Sequence, residues 1–260
     1  MTEQDNNKMP FTTHLEDLKK IMVRSLIGIG IGFVLCYLVK ERLFTILAAP
    51  LSQVMPEGST MVYTGLPEAF FTYLKISLFA SIFLTAPYWL YQVWSFVSPG
   101  LYDSEKKYVF PFVIVSSLFF IGGALFAYYI VFPFGFKFFV AFTTEFIKPM
   151  ISVKEFLSFS MKLLLAFGVI FELPIFMFFL AKVGLVSSQT LSVKRKYAYL
   201  LVFVVAAFFT PPDVVTQVLM AFPLMVLYEI SIWVVRFAEK KKKASADDEE
   251  TDLDDEEEAS

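Results

Sequence analysis

The chain holds one cysteine, Cys36, and one histidine, His14, in 260 residues. A single thiol excludes an internal disulfide. A single imidazole, placed before the first apolar run, excludes Ser–His chemistry inside a membrane and any haem or zinc site built on several histidines. No Gly-x-x-x-x-Gly-Lys-Ser/Thr sequence occurs, so the chain is not itself a P-loop ATPase. No repeat relates the first three apolar segments to the last three. No cleavage-site pattern follows the first apolar run, which is therefore read as a retained helix.

Apolar surface is what the chain has in excess. Hydrophobic residues make up 57% and aromatics 18%, with 32 Phe. Soluble domains carry about 45–50% apolar residues. One soluble core cannot hide the surplus, so a second apolar solvent is needed, and lipid supplies it. A soluble enzyme, a disordered chain and a disulfide scaffold are excluded together.

The net charge of −3 conceals an asymmetry. Residues 247–258 hold ten acidic groups and no basic one, which leaves 22 basic against 15 acidic residues elsewhere, a net +7. A like-charge block of this kind repels itself and has too little apolar surface to fold. Residues 238–260 are accordingly read as a disordered acidic tail on the cytoplasmic side, 1–20 as a cytoplasmic lead-in and 21–237 as the membrane domain.

A spanning helix needs about 20 apolar residues. Six runs qualify as candidates: Ile21 to Val39, Ala69 to Val97, Val109 to Phe132, Phe156 to Ala181, Tyr197 to Phe209 and Val214 to Val235. Lys and Arg set the orientation. Fifteen of the 22 fall on one side and seven on the other, the seven in longer connections or at helix ends where they can snorkel. Both termini are expected in the cytoplasm, in agreement with six spans. In the first external loop Leu43, Phe44, Ile46, Leu47, Leu51 and Val54 recur at near-helical spacing around Pro50, which predicts short interfacial helices. The segment near 139–155 is expected to form a second cap. Thr210-Pro211-Pro212-Asp213 predicts a tight hairpin between spans five and six. The fold class is an all-α polytopic membrane protein, with six transmembrane helices in a concave bundle.

Chemistry-bearing residues are few. Gly28 and Gly32 form a Gly-x-x-x-Gly pair, which indicates close helix packing. Glu172 lies well inside the fourth span, two residues before Pro174. A charge at mid-membrane costs about 2.5–3.5 kcal/mol on insertion scales, so such a group usually faces a cavity or a partner. Glu229, near the cytoplasmic end of the sixth span with Arg236 two turns away, reads as interfacial. Glu16 and Asp17 in the lead-in, and Asp103 and Glu105 in the loop after span two, are acidic spots on a basic face. They are either solvated charges or receivers of guanidinium groups through paired hydrogen bonds.

The ordered set Thr13-His14-Leu15-x-Asp17-Leu18, Ser98-Pro99-Gly100-Leu101-Tyr102 with Glu105, Phe171-Glu172-x-Pro174 and Thr210-Pro211-Pro212-Asp213 resembles the TatC family, the six-span subunit of the twin-arginine protein translocase. Ala49-Pro50-Leu51, Ala86-Pro87, Tyr91-Gln92-Val93-Trp94 and Ala127 to Pro133 fit as well, so the likeness runs from about Pro10 to Phe237.

The resemblance implies a receptor in the bacterial inner membrane, not an enzyme, with no catalytic residue, metal or cofactor. It implies binding of twin-arginine signal peptides of folded cargo and recruitment of single-span partners of the TatA and TatB type. It further implies self-association and transport driven by the proton-motive force, with no nucleic-acid partner. The family's Arg-pair pocket falls on Asp17 and Glu105, with Phe96 in the same patch. Where the family usually has Glu with Arg shortly after, this chain has Asp17 and Lys19. Asp is one methylene shorter, and the neighbouring Glu16 is the alternative carboxylate. Glu172 is expected to act from inside the membrane. Spans five and six are short of the roughly 30 Å core, which predicts local thinning of the bilayer. Thr210, Asp213 and Gln217 at their turn are the expected partner dock, with Gln217 bonding a polar residue on the incoming helix. Two rivals stay open on residues alone: a secondary transporter or channel built on Glu172, and a membrane enzyme, which the scarcity of His disfavours.

Overall fold

The computed structural model describes residues 11–56, 59–97, 109–144, 150–210 and 213–258. Among these there is no strand, and every one of the six apolar runs is helical. Four stretches are long and apolar enough to cross a membrane, Leu15–Leu38, Phe110–Val140, Val153–Lys182 and Val214–Lys240. The bent pair Glu68–Leu84 and Ala86–Phe96 makes a fifth. The remaining run, α10 (Arg195–Phe209), has 15 residues. The chain divides into two compact units, Met1–Leu165 and Ala166–Ser260.

In the first unit, α1 (Phe11–Leu38) leads into a short α2 (Lys40–Ser52), which carries Pro50 inside it and buries Leu47, Ala48 and Leu51. α3 (Glu68–Leu84) and α4 (Ala86–Val97) follow. The two glycines of α1 sit where packing needs them. A Cβ on Gly28 would lie 2.6 Å from the Tyr88 ring, and one on Gly32 would lie 2.7 Å from Thr85 Cγ2 and 3.3 Å from Ser81 Cβ. Rising numbers on α1 meet falling numbers on the α3–α4 pair, so they run antiparallel. Leu26, Ile31, Leu35 and Leu38 of α1 are exposed, as lipid allows. At the end of α1 the Lys40 ammonium lies 4.2 Å from the centre of the Tyr37 ring, a cation held by an aromatic at the interface.

The second span, expected as one long helix, bends by 58° between Leu84 and Ala86. Pro87 explains the bend, since it lacks an N–H and crowds the turn before it. In lipid, carbonyls left open at a break need other donors. Trp89 Nε1 donates back to Ile82 O (2.9 Å), and the Thr85 hydroxyl adds a second bond (2.7 Å) to Ser81 O, which also accepts Thr85 N–H (2.9 Å). Phe120 of α5 (Val109–Phe126), fully buried, then stacks on Phe83 and meets Trp89 edge-on. Trp94 Nε1 donates to Ser116 Oγ (2.9 Å), which closes α4 on α5.

The third span does not stop at Phe132. A π-helical turn (Ala127–Val131) carries it into α6 (Phe132–Val140), with Pro133 in the first turn where its missing N–H does no harm. Tyr128, in that turn, donates to Ile46 O of α2 (2.5 Å). The loop between α2 and α3 is fastened to α7 (Val153–Phe171). Val62 N–H donates to Ile151 O and Val153 N–H to Val62 O, both at 2.9 Å, a single parallel bridge. Glu68 ties the same place. Its Oε2 accepts from Thr64 N (2.9 Å) and Gly65 N (3.3 Å), and its Oε1 from Lys154 N (3.0 Å).

In the second unit, α8 (Leu173–Lys182), α9 (Ser188–Val193), α10 and α11 (Val214–Glu258) pack on one another. Tyr228, Ile232 and Val235 of α11 pack with Ala181 and Leu191 in a buried cluster. Glu239 caps α9, accepting from Ser188 N (2.9 Å) and Ser188 Oγ (2.5 Å). α11 continues as one helix through the acidic residues to Glu258, where charge repulsion predicts a disordered tail. The packed part of α11 supplies the nucleus that an isolated helix would have to form for itself, and Ala, Glu and Lys propagate a helix well.

Candidate functional site

Three groups of polar residues interrupt the apolar helices. The first lies at one end of the α1–α4 pair. Asp17 is about 16 Å along α1 from Gly28, and Phe96 about 12 Å along α4 from Tyr88, in the same direction. The contact of Gly28 with Tyr88 therefore brings both to one end of the first unit. Asp17 is partly exposed, and its Oδ1 accepts from Lys20 Nζ at 3.2 Å. An exposed pair at i, i+3 is weak and readily exchanged for a better partner. Glu16 is exposed and Phe96, in the last turn of α4, is half-buried. Glu105 and Asp103 lie outside the described residues.

The second group is the break at Glu172, between α7 and α8. Glu172 N–H still donates to Val169 O (3.1 Å) and Phe176 N–H to Glu172 O (2.9 Å), while Pro174 occupies the first turn of α8. The side chain is half-buried, with its Oε1 buried.

The third group lies on α10 and α11. At the turn, Asp213 caps α11. Its Oδ1 accepts from Thr216 N (2.7 Å), and its Oδ2 takes a short bond from the Thr216 hydroxyl. Thr210, extended before Pro211, returns its hydroxyl to Ala206 O (2.9 Å). Gln217 Nε2 donates to Phe203 O of α10 at 3.0 Å, so one of its N–H groups bonds across this hairpin. Pro211 and Pro212 lie outside the described residues.

At the other end of the same hairpin, Arg195 Nη2 lies 2.7 Å from Glu229 Oε2, and the Tyr199 hydroxyl donates to Glu229 Oε1 at 2.6 Å. Sequence reasoning set Glu229 beside Arg236 and did not find this pair. The signal was present in hairpin spacing: Arg195 precedes Thr210 by 15 residues and Glu229 follows Asp213 by 16. Nearly equal stretches of helix on either side of a tight turn bring those positions level. Among the described residues no group of three or more His, Cys, Asp or Glu side chains is placed to hold a metal.

Apolar helices long enough to span a bilayer, broken at prolines and carrying carboxylates at the breaks and ends, define a polytopic membrane transport component. The family profile described as "Sec-independent protein translocase protein (TatC)" matches residues 13–223. A protein of that name from Desulforapulum autotrophicum is 55% identical over 239 residues, 92% of this chain and 88% of the relative. One from Escherichia coli is 38% identical over 228 residues, 88% of each. A crystal structure described as the twin arginine translocase receptor TatC superposes with a TM-score of 0.78 at 40% identity, covering 86% of this chain and 99% of that one. The chain belongs to the TatC family. It is a component of a protein translocase and not an enzyme.

Proposed function

We propose that this chain is the core receptor of a twin-arginine translocase in the bacterial inner membrane, with both termini in the cytoplasm. It binds twin-arginine signal peptides of folded cargo at its cytoplasmic face. The observation that carries this reading is the placement of Asp17 and Phe96 at one end of a packed, antiparallel helix pair. A carboxylate held only by a weak lysine contact is ready to take a guanidinium, whose planar fork matches two oxygens. Glu105, eight residues beyond Val97, is within reach to serve the second arginine, and Glu16 is the alternative to Asp17. The surrounding face is basic, so these carboxylates are where an Arg pair gains instead of being repelled.

Single-span partners of the TatA and TatB type dock on the outer faces of α10 and α11 near Thr210, Asp213 and Gln217. The support is the shortness of α10, about 22 Å at 1.5 Å per residue, against a hydrocarbon core of about 30 Å. Transport of the cargo draws on the proton-motive force, with Glu172 acting from inside the membrane, and the receptors self-associate. The reading is tested by photo-crosslinking a twin-arginine signal peptide to the chain in native membranes. Asp17→Asn combined with Glu105→Gln is expected to abolish most of the crosslink at unchanged membrane levels of the protein. Normal crosslinking by that double variant would place the pocket elsewhere.

A further inference from the structure

A cleft of about 550 Å³ runs along α11 in the second unit, lined by Phe222, Val226, Glu229, Ile230 and Trp233, with Tyr199 of α10 as one wall. Phe222, Val226, Ile230 and Trp233 follow helical spacing and are exposed, so this stripe faces outward to the membrane. From Phe222 to Trp233 the stripe is about 17 Å long. Half of a hydrocarbon core is about 15 Å. The cleft is therefore one leaflet deep, too short to seat a spanning helix along its length but long enough for an acyl chain.

Charge marks one end of the cleft. Trp233 is 73% exposed, and an exposed Trp at a span end belongs at headgroup level. Arg236 and Lys240 follow at three and seven residues, on the same face of α11, and both are exposed. The acidic group that lines the cleft, Glu229, is already balanced by Arg195 at 2.7 Å and Tyr199 at 2.6 Å. It therefore does not oppose an anion about 10 Å further along the helix at Arg236. An apolar slot of leaflet depth, an aromatic at its mouth and two cations beyond it match one kind of molecule.

We propose that this cleft is a binding site for an anionic phospholipid of the bilayer. One acyl chain lies along Phe222 to Trp233, and the phosphate sits on Arg236 and Lys240. The phosphate end of the site stands apart from the partner dock proposed above, since Arg236 lies about 28 Å along α11 from Gln217.

The test uses the full chain in phosphatidylcholine vesicles containing dibrominated phosphatidylglycerol or, separately, dibrominated phosphatidylcholine at equal mole fraction. Bromine quenches tryptophan at contact, and the Trp233→Phe variant isolates the Trp233 signal from Trp89 and Trp94. Brominated phosphatidylglycerol is expected to quench Trp233 at a mole fraction lower by about fivefold for one engaged cation and about 30-fold for two. Arg236→Gln with Lys240→Gln should erase that preference. Lys194→Gln with Lys196→Gln, at the start of α10, should leave it intact. Equal quenching by the two lipids, or a preference that survives the α11 double variant, overturns the proposal. Loss of the preference in the α10 variant also overturns it, since general surface charge would then explain the effect. Shielding of Trp233 from both lipids by a co-purified single-span partner would assign the cleft to a helix and overturn it equally.

Discussion

Glu229 shows how a chain can keep a carboxylate within a span. Removing an ion from water is costly, and one partner alone rarely offsets that cost. Here a guanidinium and a phenol share the two oxygens, at 2.7 and 2.6 Å. Such a pair should behave as a unit. Arg195→Ala leaves a carboxylate facing an apolar cleft, and Glu229→Ala leaves a guanidinium without its acceptor. In a double-mutant cycle followed by thermal unfolding in detergent, the two changes together should destabilise less than their separate effects combined. The coupling is expected at about 0.5–3 kcal/mol. Strict additivity would show that the pair contributes nothing. Glu172 is different in kind, because it sits at a helix break and not between two helices. Glu172→Ala is expected to lower export of a twin-arginine cargo while leaving the protein's level in the membrane unchanged. Comparing cargo export with an immunoblot of the membranes decides it, and full export by the variant would remove Glu172 from the transport step.

At the scale of elements, the α10–α11 hairpin combines a short helix, a capped turn and one cross-strut. The Gln217 bond to Phe203 O fixes the register of the two helices near the turn. Gln217→Leu should lose that strut and weaken cysteine crosslinks between α10 or α11 and a TatA- or TatB-type helix. Crosslinks confined to α1 and α5, together with full activity of Gln217→Leu, would count against a dock on this hairpin. Much of this architecture is legible in the amino acids. Apolar runs bounded by Lys, Arg and Pro specify helices one at a time, because the signal is local. Pro174 likewise announces where α7 gives way to α8. The bend at Thr85 was not legible, because it depends on the Trp89 indole reaching back to the Ile82 carbonyl across the break. Nor was the role of Glu68, whose partners Thr64 and Lys154 are far apart in the chain. Asp17 drew attention as a carboxylate on a basic face and Phe96 only through the family resemblance, but their shared end of the unit needed the contact of Gly28 with Tyr88. The helical path of the acidic tail was missed because repulsion was weighed without the packed helix that precedes it.

For the molecule as a whole, the distribution of Lys and Arg makes the sharpest statement. Fifteen of 22 on one side predict both ends of the chain in the cytoplasm. Cys36 is buried and is the single cysteine, so Cys36→Ala provides a background in which new thiols report alone. A thiol at Ser59→Cys should react with a membrane-impermeant maleimide added to intact cells. A thiol at Ser245→Cys should react only after the membrane is opened. Labelling of both from the same side would invert or break the topology.

The bonds that converge on Glu68 also set a schedule. Lys154 lies 86 residues after the carboxylate it meets. At a synthesis rate of about 5–20 residues per second, it emerges roughly 4–17 s later. From completion of the second span until that point, the 59–67 segment lacks the bonds that residues 151–154 make to it and to Glu68. The tie between the α2–α3 loop and α7 is thus completed late in biogenesis, and a nascent chain arrested before Ser152 should expose the 59–67 segment to protease, whereas the finished protein should not.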